Sequence, residues 1–267
     1  SRVYYGEYSL KHWINLLLKR NIVLPNYQRS FVWDEKDIKR LIKSLGEGQF
    51  VQPITIANYN CEESGQNLLL DGQQRLTSIL LSYIGYFPDK DKFSSVDELA
   101  SSDDSDEGDE HTTKIIGWTF EEMLEDNVSN NNIDAIKNRI TITGKYKELK
   151  ISSITNKEDF FENTFLGFSY IIPARTDKNE TQKFFSTLFR NMNYLGLKLS
   201  PLESRRSLYY LNAELEKYFD GRTSEGKDVL CEIKMYEKMQ LRKIDIVRYM
   251  SILSQYVANN KDVRKVL

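Results

Sequence analysis

Apolar residues recur along this chain at two different periods, and the switches between them predict most of its elements. Residues 8–19 carry Leu10, Trp13, Ile14, Leu17 and Leu18, the spacing of one helical face. Ile22 to Pro25 then reads as a short extended segment. Asp34 is placed to cap a helix whose Ile38, Leu41, Ile42 and Leu45 share a face, and Gly46 and Gly48 end it. Ile54-Thr-Ile-Ala57 predicts a strand, and a polar turn over 62–66 joins it to a second strand, Asn67-Leu-Leu-Leu70. Three leucines in a row suit a strand covered on both faces. From Gln73 the period changes again, with Leu76, Ile79, Leu80 and Tyr83 predicting a helix that reaches about Phe87. The first 90 residues thus read as a compact α/β unit, closed off by Pro88.

The pattern of the second half is mainly helical. Thr119 and Glu122 have capping-box spacing before a short helix, and 158–165 is a further helical stretch. Phe168 to Arg175 is the best remaining strand. Thr181 to Met192 is amphipathic. Ser200-Pro-Leu-Glu203 is a strong helix start, with Ser at the N-cap, Pro at N1 and Glu at N3, and that helix reaches about Phe219. Ile244 to Ala258 is the last. No internal repeat is visible. Phe184-Phe185 and Tyr209-Tyr210 read as core rather than as platforms for stacked bases.

Composition narrows the class. The chain has 267 residues, 40% of them hydrophobic, enough for one large or two modest domains with real cores. Cys61 and Cys231 lie far apart, which suggests a reduced, cytoplasmic protein without a disulfide frame. With those two and only His12 and His111, no structural Cys/His metal cluster is expected. No signal peptide and no membrane-spanning apolar run is present. The chain begins without Met and ends at Val266-Leu267, and so reads as a piece of something longer.

Charge is unevenly spread around a net of −2. Residues 97–110 hold eight acids and no Lys or Arg. The other 31 acids face 37 bases, so the remainder carries +6. That balance permits a phosphate-bearing ligand without demanding nucleic acid. The acidic run reads as a solvated, disordered loop; a decoy mimicking DNA is the sharper alternative.

The chemistry concentrates where the leucine strand breaks at Asp71-Gly72. A strand running into a helix aims the first free N–H groups of that helix at one point, which attracts anions, phosphate above all. Arg75 lies in the first turn and can add a forked cation. The multi-glycine cradle and lysine of a Walker loop are absent. A plainer reading also fits: Asp71 and Gln74 have N-cap and N3 spacing, and Gly72 could merely ease the turn. On spacing alone, capping is the better reading. If Asp71 acts beside a phosphate, holding Mg²⁺ or orienting water are its natural roles.

Three segments stand out in order: Leu24-Pro-Asn-Tyr-Gln-Arg29 with Trp33, then Asp71-Gly-Gln-Gln-Arg-Leu-Thr77, then Phe189 to Gly196 with Leu199 and Glu203. Together they resemble the N-terminal domain family of GmrSD-type, modification-dependent restriction enzymes, over roughly residues 8–205. The first two boxes are specific; the third is looser. The resemblance implies an α+β fold in which a ParB/sulfiredoxin-like α/β core over 1–90 carries the phosphate-site turn. An acidic loop would span 91–114, and a mainly helical part over 115–267 would complete the domain. It further implies binding of a nucleoside triphosphate, with hydrolysis, in bacterial anti-phage defence. Asp71, Gln74 and Arg75 would be catalytic, and Asp71 would hold Mg²⁺. Tyr27, Gln28, Arg29, Gly72, Gln73, Arg75, Thr77 and Asn193 would bind nucleotide and phosphate. Without the resemblance, Tyr27-Gln28-Arg29 reads as a loop with a packed Tyr and a paired Arg, and Asn193 with Gly196 as a helix C-terminus. Many members continue into an HNH-type nuclease; this chain has no such cluster of histidines, so that partner is expected outside it. Two other functions remain open, a non-catalytic module that binds DNA or senses its modification, and a ParB-like nuclease.

Overall fold

The computed structural model describes residues 1–25, 30–58, 66–93, 116–174, 180, 183–185, 187, 188, 191, 231–235, 240–244 and 246–259. Its first elements are β1 (Arg2–Ser9), α1 (Leu10–Leu18), β2 (Ile22–Val23), α2 (Glu35–Gly46), β3 (Ile54–Asn58), β4 (Asn67–Asp71), α3 (Gln73–Ile84) and β5 (Tyr86–Pro88). Short 3₁₀ turns at Phe120–Met123 and Val128–Asn130 follow, then α4 (Ile133–Thr143), β6 (Tyr146–Glu148), α5 (Lys157–Asn163) and β7 (Phe165–Ile172). Further along the chain lie the antiparallel pair β8 (Cys231–Met235) and β9 (Gln240–Ile244), and the helix α6 (Ile246–Ala258). The fold is α+β, built on a mixed five-stranded sheet in the order β1-β7-β3-β4-β2.

That order departs from the reading of a self-contained first 90 residues. β7 lies between β1 and β3, antiparallel to the first and parallel to the second. The sheet of the N-terminal unit is therefore completed from beyond residue 160. β1 itself carries no clean alternation, being exposed over most of its length, which is why periodicity did not announce it. At Gly6 the missing side chain is filled across the strands: an added Cβ would stand 2.7 Å from the Phe168 ring.

Apolar side chains are buried on both faces of the sheet. Leu69 joins the larger core with Trp13, Ile38, Leu76 and Leu80, whereas Leu68 and Leu70 join a smaller one with Ala57, Ile171 and Phe185. The run of leucines is thus a strand covered on both sides, as expected. Phe185 is core, also as expected.

Element ends shift where tertiary contacts override local pattern. α3 stops at Ile84 rather than near Phe87, because Gly85 adopts φ +84° and Tyr86–Pro88 pair with β6. The stretch expected to be helical over 158–165 ends at Asn163, and Phe165 opens β7. Ile244 ends β9 rather than opening the last helix. Thr119 occupies the N-cap position of a 3₁₀ turn but makes no capping bond, and its buried Oγ1 has no partner among the described residues. The acidic run over 97–110, Tyr27, Gln28, Arg29, Asn193, Tyr209, Tyr210 and the helix expected over 200–219 lie outside the described residues.

Candidate functional site

The turn from β4 into α3 is built around Gly72. β4 stays in the sheet through Asp71, which pairs with Thr55 on β3. The helix must then begin one residue later, and Gly72 makes the turn at φ +98°. A side chain here is disfavoured twice. Such a φ is unfavourable for any residue with a Cβ, and that Cβ would stand 2.4 Å from Ile54 Cδ1.

This geometry overturns the capping box. Asp71 belongs to the strand and is not the N-cap; the N-cap is Gly72, with no side-chain hydrogen bond. The first amides of the helix, from Gln73 to Arg75, lack intrahelical acceptors by helix geometry, and Gly72 has no side chain to cap them. Asp71 instead accepts a hydrogen bond from Arg75 Nη2 at 2.6 Å. The pair is only partly solvent-accessible, with the Arg75 and Asp71 side chains 14% and 32% exposed. Arg75 Nη2 also donates to the Pro53 carbonyl at 3.3 Å.

Several buried polar atoms of α3 lack partners among the described residues. Gln73 is 5% exposed and Thr77 fully buried. Gln73 Nε2, Arg75 Nε, Thr77 Oγ1 and Ser78 Oγ have no hydrogen-bond partner among the described residues. A buried donor left unpaired costs about 1–3 kcal/mol, a cost that water or a ligand removes by completing the bonding.

Gln74 faces a different way. Its Oε1 accepts from the amides of Val32 at 2.9 Å and Trp33 at 3.3 Å, and its Nε2 donates to the Ser30 carbonyl at 3.1 Å. The side chain expected to be catalytic therefore has both ends of its amide engaged with backbone. It links the Asp71-Gly-Gln-Gln-Arg75 turn to the residues that directly follow Tyr27-Gln28-Arg29.

The same following segment has two further anchors that sequence reasoning missed. The Phe31 amide donates to the Trp118 carbonyl at 2.9 Å. Lys90 Nζ donates to the Val32 carbonyl at 3.2 Å. Burial pushes the Lys90 ammonium below the ordinary lysine pKa, an effect partly offset by the nearby carboxylates of Asp34 and Asp37. On the preceding side, Glu121 Oε1 accepts from the Leu24 amide at 3.0 Å. Nothing in local spacing signals these contacts.

Comparison with known proteins follows from these residues. Residues 13–210 match the family model described as GmrSD restriction endonuclease, N-terminal domain. The chain is 26% identical to an uncharacterised protein of Methanocaldococcus jannaschii, in an alignment covering 76% of this chain and 42% of that protein. It thus spans less than half the length of that relative. No solved structure matches it. Among the described residues, no helix is long and apolar enough to cross a membrane, and no group of three or more His, Cys, Asp or Glu could hold a metal ion.

Proposed function

The chain belongs to the GmrSD restriction endonuclease N-terminal domain family, and on that footing we propose that it is the nucleotide-binding, NTP-hydrolysing regulatory part of a restriction-type defence protein. The ParB/sulfiredoxin-like ancestry of the core is part of this reading. Cleavage of DNA belongs to an HNH-type nuclease domain or subunit outside this chain.

The observation that supports the reading is the uncapped start of α3. The first helix amides, Arg75 Nε and the Gln73 amide nitrogen are all donors in the first turn of α3, without acceptors among the described residues. Donors without acceptors suit an anion with many oxygens, and a triphosphate is such an anion. Thr77 adds a buried hydroxyl on the next turn. Arg75 is held ready by Asp71, and an arriving phosphate would take over its guanidinium and free a carboxylate oxygen. That oxygen would then orient water toward the terminal phosphorus.

Asp71 would hold Mg²⁺, a single carboxylate being enough for an ion that keeps several of its waters. When bound, it would supply charge neutralisation on the phosphates. Tyr27, Gln28, Arg29 and Asn193 remain part of the proposal through the motifs that carry them.

Calorimetry with a nucleoside triphosphate and Mg²⁺ tests the reading. Arg75→Ala should weaken binding by about 1.5–3 kcal/mol, the cost of losing a hydrogen bond from a charged group. Equal affinity for wild type and variant would remove Arg75 from the site.

A further inference from the structure

The ladders set four residues in one line across the sheet. Thr55 on β3 pairs with Asp71 on β4 and, on its other side, with Ser169 on β7. Ser169 pairs in turn with Tyr5 on β1. Residues directly opposed in a ladder send their side chains to the same face, and Thr55 Oγ1 lies 3.0 Å from Ser169 Oγ. The line therefore leaves the candidate site at Asp71, crosses two bonded hydroxyls and ends on an aromatic ring at the edge of the sheet. It also opens outward: Thr55 is buried, Ser169 half-buried and Tyr5 80% exposed. The small core on this face takes Ala57 and Ile171, each two residues further along its strand, and Tyr5 belongs to neither core.

We propose that Tyr5 is the base-binding residue of the candidate site, stacking on the base of a nucleotide whose triphosphate end lies at the α3 turn. The proposal rests on the nucleotide-binding reading above and adds a residue outside all three motif boxes. Adjacent strands are about 4.8 Å apart, so three steps carry the line about 14 Å from Asp71 to Tyr5, the reach of an extended nucleoside triphosphate. Between the two ends the ligand passes Ser169. The paired hydroxyls use one proton in their mutual bond and keep the other to donate. Charge sets the orientation. Arg75 stands at the Asp71 end, whereas Glu7, exposed and two residues along β1 on the Tyr5 face, disfavours phosphate beside the ring. Every base has a π-face, so such a stack favours nucleotides over inorganic phosphates without selecting one base.

The test uses the full chain with two ligands, a Mg²⁺-nucleoside triphosphate and Mg²⁺-tripolyphosphate, which carries a phosphate chain without a base. Tyr5→Thr removes the ring and keeps a good strand former; Tyr5→Phe keeps the ring. Calorimetry on the wild type should show the nucleotide bound more tightly than tripolyphosphate. In Tyr5→Thr, Kd for the nucleotide should rise about tenfold, the scale of one aromatic–base stack, while Kd for tripolyphosphate stays within about twofold. Tyr5→Phe should bind both ligands as the wild type does. Melting temperatures should match across the variants, because Tyr5 is exposed. Equal weakening of both ligands in Tyr5→Thr overturns the proposal, since the ring would then not act on the base. So does a loss in Tyr5→Phe equal to that in Tyr5→Thr. If the wild type binds neither ligand, the nucleotide reading falls and the role of Tyr5 with it. If it binds both and Tyr5→Thr leaves nucleotide affinity unchanged, the role of Tyr5 falls alone.

Discussion

Two helices in this protein each have an aspartate with a polar partner three residues later at their start, and they end up with opposite chemistry. α2 starts at Asp34, whose side chain accepts from the Lys36 and Asp37 amides while Asp37 bonds back to the Asp34 amide. That helix start is closed, with donors and acceptors matched. The Asp37 amide, its largest stabiliser, holds the Asp34 carboxyl below the usual carboxylate range. α3 has Asp71 and Gln74 at the same spacing, yet neither caps anything. Asp71 is held in β4 by its partner Thr55, Gly72 takes the N-cap place, and Gln74 is drawn to the backbone of 30–33. The result is an open helix start beside a cation. A closed start serves stability; an open one leaves donors for a ligand. What separates them is whether the aspartate lies outside a strand or within one.

The comparison breaks most severely at Gly72. Gly72→Ala should destabilise the fold by about 2–4 kcal/mol, combining the strain of positive φ with overpacking against Ile54. Gly85→Ala, at φ +84° with open space around it, should cost only about 1–2 kcal/mol. Because Ile54 Cδ1 is the atom met, Ile54→Val should recover part of the Gly72→Ala loss, measurable by denaturant melts in a double-mutant cycle. Additive losses would mean that the two side chains do not meet.

Gln74→Leu should come next. It leaves the Val32 and Trp33 amides and the Ser30 carbonyl without their partner, at a cost of about 1–3 kcal/mol. Exchange at Val32 and Trp33 should accelerate, and unaltered rates there would show that the link is not formed in solution.

Asp34 carries a smaller and pH-dependent share. Asp34→Ala should cost about 0.5–2 kcal/mol, as loss of an N-cap does. The folded pKa lies below the unfolded one, so the stabilisation is full above the unfolded value. It is lost as pH falls from about 4 through the depressed folded value. Asp34→Asn caps without titrating, so urea midpoints of the two proteins should converge in acid. Parallel midpoints across that range would contradict the assignment.

Asp71→Asn should have the smallest effect on stability, about 0.2–1 kcal/mol for a partly exposed ion pair, while stopping phosphate release. If release persists, Asp71 is not part of the chemistry and the open helix start is a binding site only.

Much of the fold was legible because its signals are short-range. The faces of α1, α2 and α3 follow from spacings of three and four residues, and Asp34 declares its helix within one turn. The leucine run announced a strand buried on both sides, and the sheet placed those leucines in two different cores. The glycine of the turn could also be read in advance, though not its reason, since Ile54 is contributed by a neighbouring strand.

Spacing alone marked the helices and strands of the first 90 residues and the position of the strand-to-helix turn; the α+β class came with the family resemblance. Tertiary structure decided what the residues of that turn do. Asp71 turned from a cap into an ion-pair partner because strand pairing extended one residue further than local pattern indicates. Gln74 became a link because Ser30 to Trp33 pass within hydrogen-bond reach, 41 to 44 residues away in the chain. β7 entered the sheet between β1 and β3, and Glu121 reached Leu24 across 97 residues, for the same reason. Periodicity and capping record interactions within a turn or a strand. Which distant backbone group satisfies a buried donor depends on how the elements close on one another, and only the packed chain specifies that.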